Sequence, residues 1–262
     1  MNKTTVITLT MIVISFALPS ISFSDAISDL VSNEKPEIIR TFFLSDNEKA
    51  NINKVYPGGE TLMMFAAANN PNSEVIQLLA SLGGSVNSKD ELGLTPLIFA
   101  VTTNKNPGVV FTLLRLGADI EAEDFEGISA LMYAARDGEP SIVETLLSKN
   151  LDVNKSSKNG WTPLMFAAAK NNNARVLELL LEAGAQVNDT NTEGMSPLMI
   201  ATKQTNNPQI IELLLRFSAN TTIKADGKMA IDFARNNPKL KGSSALRNLE
   251  VTTRLRISEN VK

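Results

Sequence analysis

Apolar residues along this chain come in short clusters, and the clusters return in the same order every 33 or 34 residues. The fullest copy opens with Gly160, Trp161, Thr162, Pro163, Leu164, Met165, Phe166, Ala167 and Ala168. Close copies begin at Gly93, Gly127 and Gly194, a weaker one at Gly59 and a degenerate one at Gly227. Counted from the Thr or Ser that opens each apolar cluster, the copies stand at 61, 95, 129, 162 and 196. Self-similarity at that period marks stacked repeats, where a unit too small to bury its own apolar face relies on its neighbours.

Within one block the pattern predicts two short helices. Across residues 160–194, Thr162 is a good N-cap, and Pro163 suits the first helical position, where its missing N–H costs nothing. The first helix then carries Leu164, Phe166, Ala167 and Ala168 and ends in the polar loop Asn171, Asn172, Asn173. A second helix follows with Val176, Leu177, Leu179, Leu180 and Leu181 inward, closed by Gly184 in the left-handed conformation. Matching second helices run through Val75 to Leu79, Val109 to Leu114, Ile142 to Leu147 and Ile210 to Leu215. Four units hold one extra residue between their helices, in Asn/Pro-rich stretches that a loop absorbs at little entropic cost.

The flanks are degenerate. Ile38, Ile39, Phe42, Phe43 and Leu44, followed by Ala50 to Asn53, have the shape of a second helix and an outgoing turn. Residues 25–58 are therefore expected to form an N-terminal capping repeat, residues 59–226 five full repeats, and residues 227–262 a C-terminal repeat with a closing helix through Leu246, Leu249 and Val251. Stacks need such atypical ends because an end unit has one face in water.

A helix, loop, helix and extended turn in about 33 residues, with Thr-Pro-Leu at the front and Gly-Ala-x-Val-Asn at the back, resembles the ankyrin repeat. The resemblance is strong over roughly residues 59–227. It implies an all-α ankyrin-repeat solenoid of helix-turn-helix units, with short β-hairpin-like connecting turns and degenerate caps at both ends. One departure stands out. The family usually has His after Thr-Pro-Leu, where it ties neighbouring units by hydrogen bonds; here Met64, Ile98, Met132, Met165 and Met199 stand there. Contact between repeats is therefore expected to rest more on apolar packing.

The resemblance also implies where a partner sits. In ankyrin arrays a concave groove is lined by the residue after each turn Gly, the two before it, and the pair ending each first helix. Carried onto this chain, the position after Gly is Glu60, Leu94, Ile128, Trp161 and Met195. Leu92 and Phe125 extend the apolar strip at the turn tips, and Thr102, Thr103, Arg136, Asp137, Lys170, Lys203 and Gln204 form its polar margin. An exposed apolar strip with a polar rim is what a protein-binding face needs, and a lone Trp is the natural anchor. The alternative is that these side chains pack on neighbouring hairpins and only stiffen the row.

Composition narrows the chemistry. The chain has no cysteine and no histidine, which removes thiolate chemistry and the commonest general base and metal ligand. No phosphate-cradling loop or nucleophile elbow is present, so no catalytic residue, cofactor, metal or small-molecule substrate is expected. The densest carboxylate run, Glu121, Glu123, Asp124 and Glu126, lacks the ligand spacing of a calcium loop and is expected to be a solvated hairpin. Residues 25–227 carry a net charge of −9, whereas residues 228–262 hold eight Lys/Arg against three Asp/Glu, a net of +5. An acidic body with few aromatics argues against nucleic acid. The basic tail reads either as a solvated closing helix or as a contact with an anionic partner or membrane surface.

The first 24 residues differ from the rest. Lys3 precedes an almost wholly apolar run from Val6 to Leu18, and small residues at Ser22 and Ser24 suit a cleavage site. This reads as a secretory signal peptide cut after Ser24, or after Ala26, with a retained signal anchor as the alternative. A periplasmic or secreted location follows. Asn-x-Ser/Thr patterns at Asn154, Asn188 and Asn220 lie between repeat helices, and glycans there would crowd the stack, which favours a bacterial envelope setting. The leading functional reading is a non-enzymatic scaffold binding a protein or peptide in an extracytoplasmic compartment. The alternatives are an envelope structural or protective factor holding a periplasmic enzyme or membrane component, and a secreted effector.

Overall fold

The computed structural model describes residues 23–45, 51–170 and 172–259. The expected signal segment lies outside the described residues except for Phe23 and Ser24, which open the first helix. No helix among the described residues is long and apolar enough to cross a membrane.

The chain divides into two compact units, residues 1–125 and 126–262. In the first, α1 (Phe23–Asn33) and α2 (Pro36–Ser45) precede α3 (Leu62–Asn69), α4 (Ser73–Ser81), α5 (Pro96–Phe99) and α6 (Pro107–Arg115). Helix α1 packs on α3 and α3 on α5, while α2 packs on α4 and α4 on α6. The second unit holds α7 (Ala130–Asp137), α8 (Pro140–Leu147), α9 (Pro163–Lys170), α10 (Ala174–Glu182), α11 (Pro197–Gln204), α12 (Pro208–Arg216), α13 (Ala230–Asn236) and α14 (Ser244–Glu259). Here too first helices stack on first helices, α7 to α9 to α11 to α13, and second helices on second helices, α8 to α10 to α12 to α14. Both units are thus rows of helix pairs.

Local chemistry sets the helix ends. The hydroxyls of Thr95, Ser129, Thr162 and Ser196 accept from the backbone N–H three residues on, each at 3.4 Å. The second helices are capped by loop asparagines: Asn72, Asn106, Asn173 and Asn207 accept from the N–H two residues on at 2.8 to 3.0 Å. At the far end Gly184 adopts φ +93, and Ala185 N–H returns to Leu180 O at 3.0 Å. Asn150 and Ser218 take the same left-handed place, at φ 55 and 65.

Packing between repeats is apolar at its centre. Met64, Ile98, Met132, Met165 and Met199 are all at most 1% exposed. Many of the side-chain hydrogen bonds between repeats come from asparagines. At the inter-helix loops, Asn104 Nδ2 donates to Asn70 O at 2.8 Å, Asn106 Nδ2 to Pro71 O at 2.8 Å and Asn207 Nδ2 to Asn172 O at 2.9 Å. At the outgoing turns, Asn53, Asn87 and Asn154 each accept from a backbone N–H of the next repeat at 2.8 Å. Their Nδ2 groups donate to Gly83 O, Gly117 O and Gly184 O. Asn154→Ala removes two such bonds at a partly solvated site, so it is expected to cost about 1 kcal/mol. A urea midpoint unchanged from wild type would show that the pair contributes nothing.

Two details differ from the sequence pattern. One extra residue is absorbed within a helix: α5 runs into a π turn, Ala100–Asn104, closed by Lys105 N–H on Ala100 O at 3.0 Å with Lys105 at φ 58. A π turn spends one more residue per turn and so keeps the flanking N-cap, Asn106, in place. The closing helix α14 turns Ala245, Leu249 and Thr253 inward and leaves Val251 57% exposed. The i, i+4 register chosen by Leu249 governs which face is buried, and Val251 falls outside it.

Candidate functional site

The turns that precede the first helices are built on hydrogen bonds rather than on strands. Around Trp161, Ser157 N–H donates to Trp161 O at 3.0 Å, Gly160 N–H to Ser157 O at 2.8 Å, and Trp161 N–H to Ser157 Oγ at 3.2 Å. Gly160 sits at φ +73, and a Cβ there would lie 3.0 Å from Thr192 N in the adjacent turn. Only glycine meets both conditions. That close approach lets Thr192 donate twice to Asn159 O, from N–H at 3.2 Å and from Oγ1 at 3.1 Å. Lys158 N–H likewise donates to Glu126 O at 3.0 Å. The turn bearing Trp161 is therefore held on both sides.

Trp161 lies half-exposed, its ring centroid 5.2 Å from that of Phe166 at an interplanar angle of 48°. These two rings, with Ile128 and Ala169, line a cleft of about 350 Å³ inside the second unit. Glu126, Ser157 and Asn159 contribute from the turns, and Arg136, Lys170 and Gln204 from the last turns of α7, α9 and α11. Charge in the cleft is unevenly committed. Arg136 pairs with Asp137 and lies 4.9 Å over the Tyr133 ring. Lys170 is exposed and makes no ion pair among the described residues. Lys203 is exposed too, with its ammonium 5.9 Å from the Phe233 ring.

A second cavity, of about 430 Å³, lies over α10 and α12. Its ions satisfy one another: Arg175 pairs with Glu178 at 3.1 Å, Arg216 with Glu178 at 2.6 Å, and Arg175 reaches Glu144 and Glu182 as well. The hydrogen bond from Arg175, joined by that from Arg216, holds the Glu178 carboxyl below the ordinary carboxylate range. Such a surface offers little unspent charge. Among the described residues no three carboxylates gather where a metal ion could sit.

Of the residues expected in the groove, Ile128, Arg136, Trp161 and Lys170 are brought together in this cleft. Asp137 joins through its pair with Arg136, while Lys203 stands beside Phe233 and its neighbour Gln204 lines the cleft in its place. Leu92, Leu94 and Phe125 belong to the first unit. Leu92 and Phe125 are 65% and 57% exposed, joined by Phe125 N–H on Leu92 O at 3.0 Å. Met195, expected on the open strip, is instead 6% exposed. Its unbranched side chain has the torsional freedom to fold inward and gains by leaving water.

The sequence pattern alone assigns Phe166 to the stack, and the structure places it in the cleft. The signal was nevertheless present. Phe65, Phe99, Tyr133, Phe166 and Phe233 occupy the same place in five of the six copies of the block and are all half-exposed, while the copy beginning at Gly194 has the buried Ile200 there. A position that is aromatic and incompletely buried in five copies faces the open side of its helix. Glu126 and Asn159 precede turn glycines and Ala169 shares the end of α9 with Lys170, so the repeat pattern reaches all three, and Ser157 alone carries no comparable signal.

A family model described as "Ankyrin repeats (3 copies)" matches residues 27–124, 103–191 and 131–225. Among solved structures, the crystal structure of human ASB11 ankyrin repeat domain is similar at a TM-score of 0.73 and 24% identity, over 86% of this chain and 96% of that one. No curated protein sequence matches.

Proposed function

This chain belongs to the ankyrin-repeat family, whose members are typically non-enzymatic protein-interaction scaffolds, and on that premise we propose that its second unit binds a protein or peptide partner in the Trp161–Phe166 cleft. Function is then surface complementarity, with no bond made or broken. The observation that carries the reading is the half-exposed Trp161 tilted against Phe166 above a turn fixed by Gly160 and Thr192. A rigid aromatic pair in a concave site binds with little ordering cost, which is what makes Trp a common hot spot. Capture of partners by the full chain and by Trp161→Ala tests it; partners retained equally by both would remove the cleft from the account.

The compartment belongs to the same proposal. Lys3 and the apolar run from Val6 to Leu18 support export. Residues 1–30 fused to a reporter active only after export are expected to give signal, and cytoplasmic retention would overturn the extracytoplasmic reading. Contact of the closing helix with an anionic membrane component has one observation in its favour, the 57% exposure of both Val251 and Leu255 in a helix that carries Arg247 and Arg254. Capture that survives Trp161→Ala but fails with Val251→Glu and Leu255→Glu would select that reading.

A further inference from the structure

Resting on the cleft assigned above, we infer that the segment it takes is an acidic stretch of a partner protein carrying one large apolar side chain. The apolar side chain enters between Trp161 and Phe166, and flanking carboxylates meet Lys170 and Lys203. Size sets the first half. A cleft of about 350 Å³ stands at the small end of ligand pockets and has room for a large aromatic or long aliphatic group. Its apolar floor offers that group burial and ring contact.

Charge sets the second half. Every first helix of the second unit ends in a cation: Arg136, Lys170, Lys203 and Arg235. In the first unit, α3 and α5 with its π turn have none in their last turns, and Lys105 stands only as the left-handed C-cap of the π turn. Cations at helix C-termini complement the helix dipole, but the dipole acts on both units alike and does not explain why only one carries them. The unit with the cations is the unit with the cleft. Residues 126–227, which build the cleft, hold 9 Lys/Arg against 11 Asp/Glu and so stand near balance, whereas residues 1–125 hold 8 against 14. Arg136 is committed to Asp137 and Tyr133, which leaves Lys170, exposed at the edge of the cleft, and Lys203, exposed next to the cleft residue Gln204. The complementary ligand is anionic on one edge and apolar at its centre.

The test is selection of a random dodecapeptide display library on the immobilised full chain. Enriched peptides are expected to place Asp or Glu around a single Phe, Trp or Leu. Because the chain has one tryptophan, a synthetic copy of an enriched peptide should shift Trp161 emission saturably. Lys170→Glu should weaken that binding by about tenfold, and raised salt should weaken it too, as expected for exposed charge pairs. Enriched peptides that are neutral or basic, or an affinity indifferent to Lys170→Glu, overturn the inference while leaving the cleft reading intact. The same result follows if a 12-nucleotide single-stranded DNA shifts the emission at lower concentration than the peptide. Peptides enriched equally on Trp161→Ala, or no enrichment, overturn the cleft reading with it.

Discussion

Trp161→Ala is expected to weaken partner binding by about 30-fold or more, the loss of about 2 kcal/mol that defines an interface hot spot. Stability should fall by only about 1 kcal/mol, because a half-exposed ring gives up part of its apolar area rather than all of it. The helical circular dichroism should be unchanged. This separation arises because the turn is held by Ser157, Gly160 and Thr192 through backbone and hydroxyl groups, none of which the indole supplies. Phe166→Ala is the companion variant: it keeps Trp161 as a fluorescent reporter while removing the ring it leans on. It should also weaken binding and alter the emission of the free protein. Equilibrium titration of a captured partner against the three proteins measures the effect, and equal affinities would show that the cleft is not the contact.

Leu180→Ala is expected to have the opposite signature, a loss of about 3 kcal/mol in stability with the cleft chemistry untouched. Leu180 is fully buried on α10, the second helix that packs between α8 and α12. Deleting its branched end opens a cavity that helices in a row cannot close without moving their neighbours. In a repeat array the damage is local before it is global, since each repeat is stabilised mainly by the interfaces with the next. Urea unfolding followed by circular dichroism should therefore show a lowered midpoint and a broader transition than wild type. Protection of amides in α8, α10 and α12 against hydrogen exchange should fall first. A midpoint within error of wild type would mean that the stack tolerates the void.

Much of the fold is legible in the residues themselves. Thr162, Pro163 and Gly184 mark helix ends through local chemistry, and the 33- or 34-residue spacing repeats the message until chance is excluded. The candidate cleft is only partly legible. Trp161, Ile128, Arg136 and Lys170 follow from position in the repeat, but Phe166 looks like core because its neighbours Leu164, Met165 and Ala167 are core. Periodicity tells which residues are apolar, not how completely each is covered. Met195 fails for the same reason in reverse, since it holds the equivalent place to Trp161 yet folds inward to 6% exposure. Equivalent positions share a backbone, while side-chain length and torsional freedom decide where each side chain ends.

The sequence by itself determined the repeat, the helix pairs, the turn glycines and the absence of thiol and imidazole, because each depends on residues close together in the chain. Tertiary structure alone decided that loop asparagines tie one repeat to the next. It also decided that one extra residue becomes a π turn, and that Trp161 and Phe166 meet over a cleft edged by Lys170. The ties and the placing of the turn that bears Trp161 depend on atoms about 30 residues away along the chain, such as Gly184 O for Asn154 and Thr192 N for Gly160. Their positions are set only when one repeat has packed against the next.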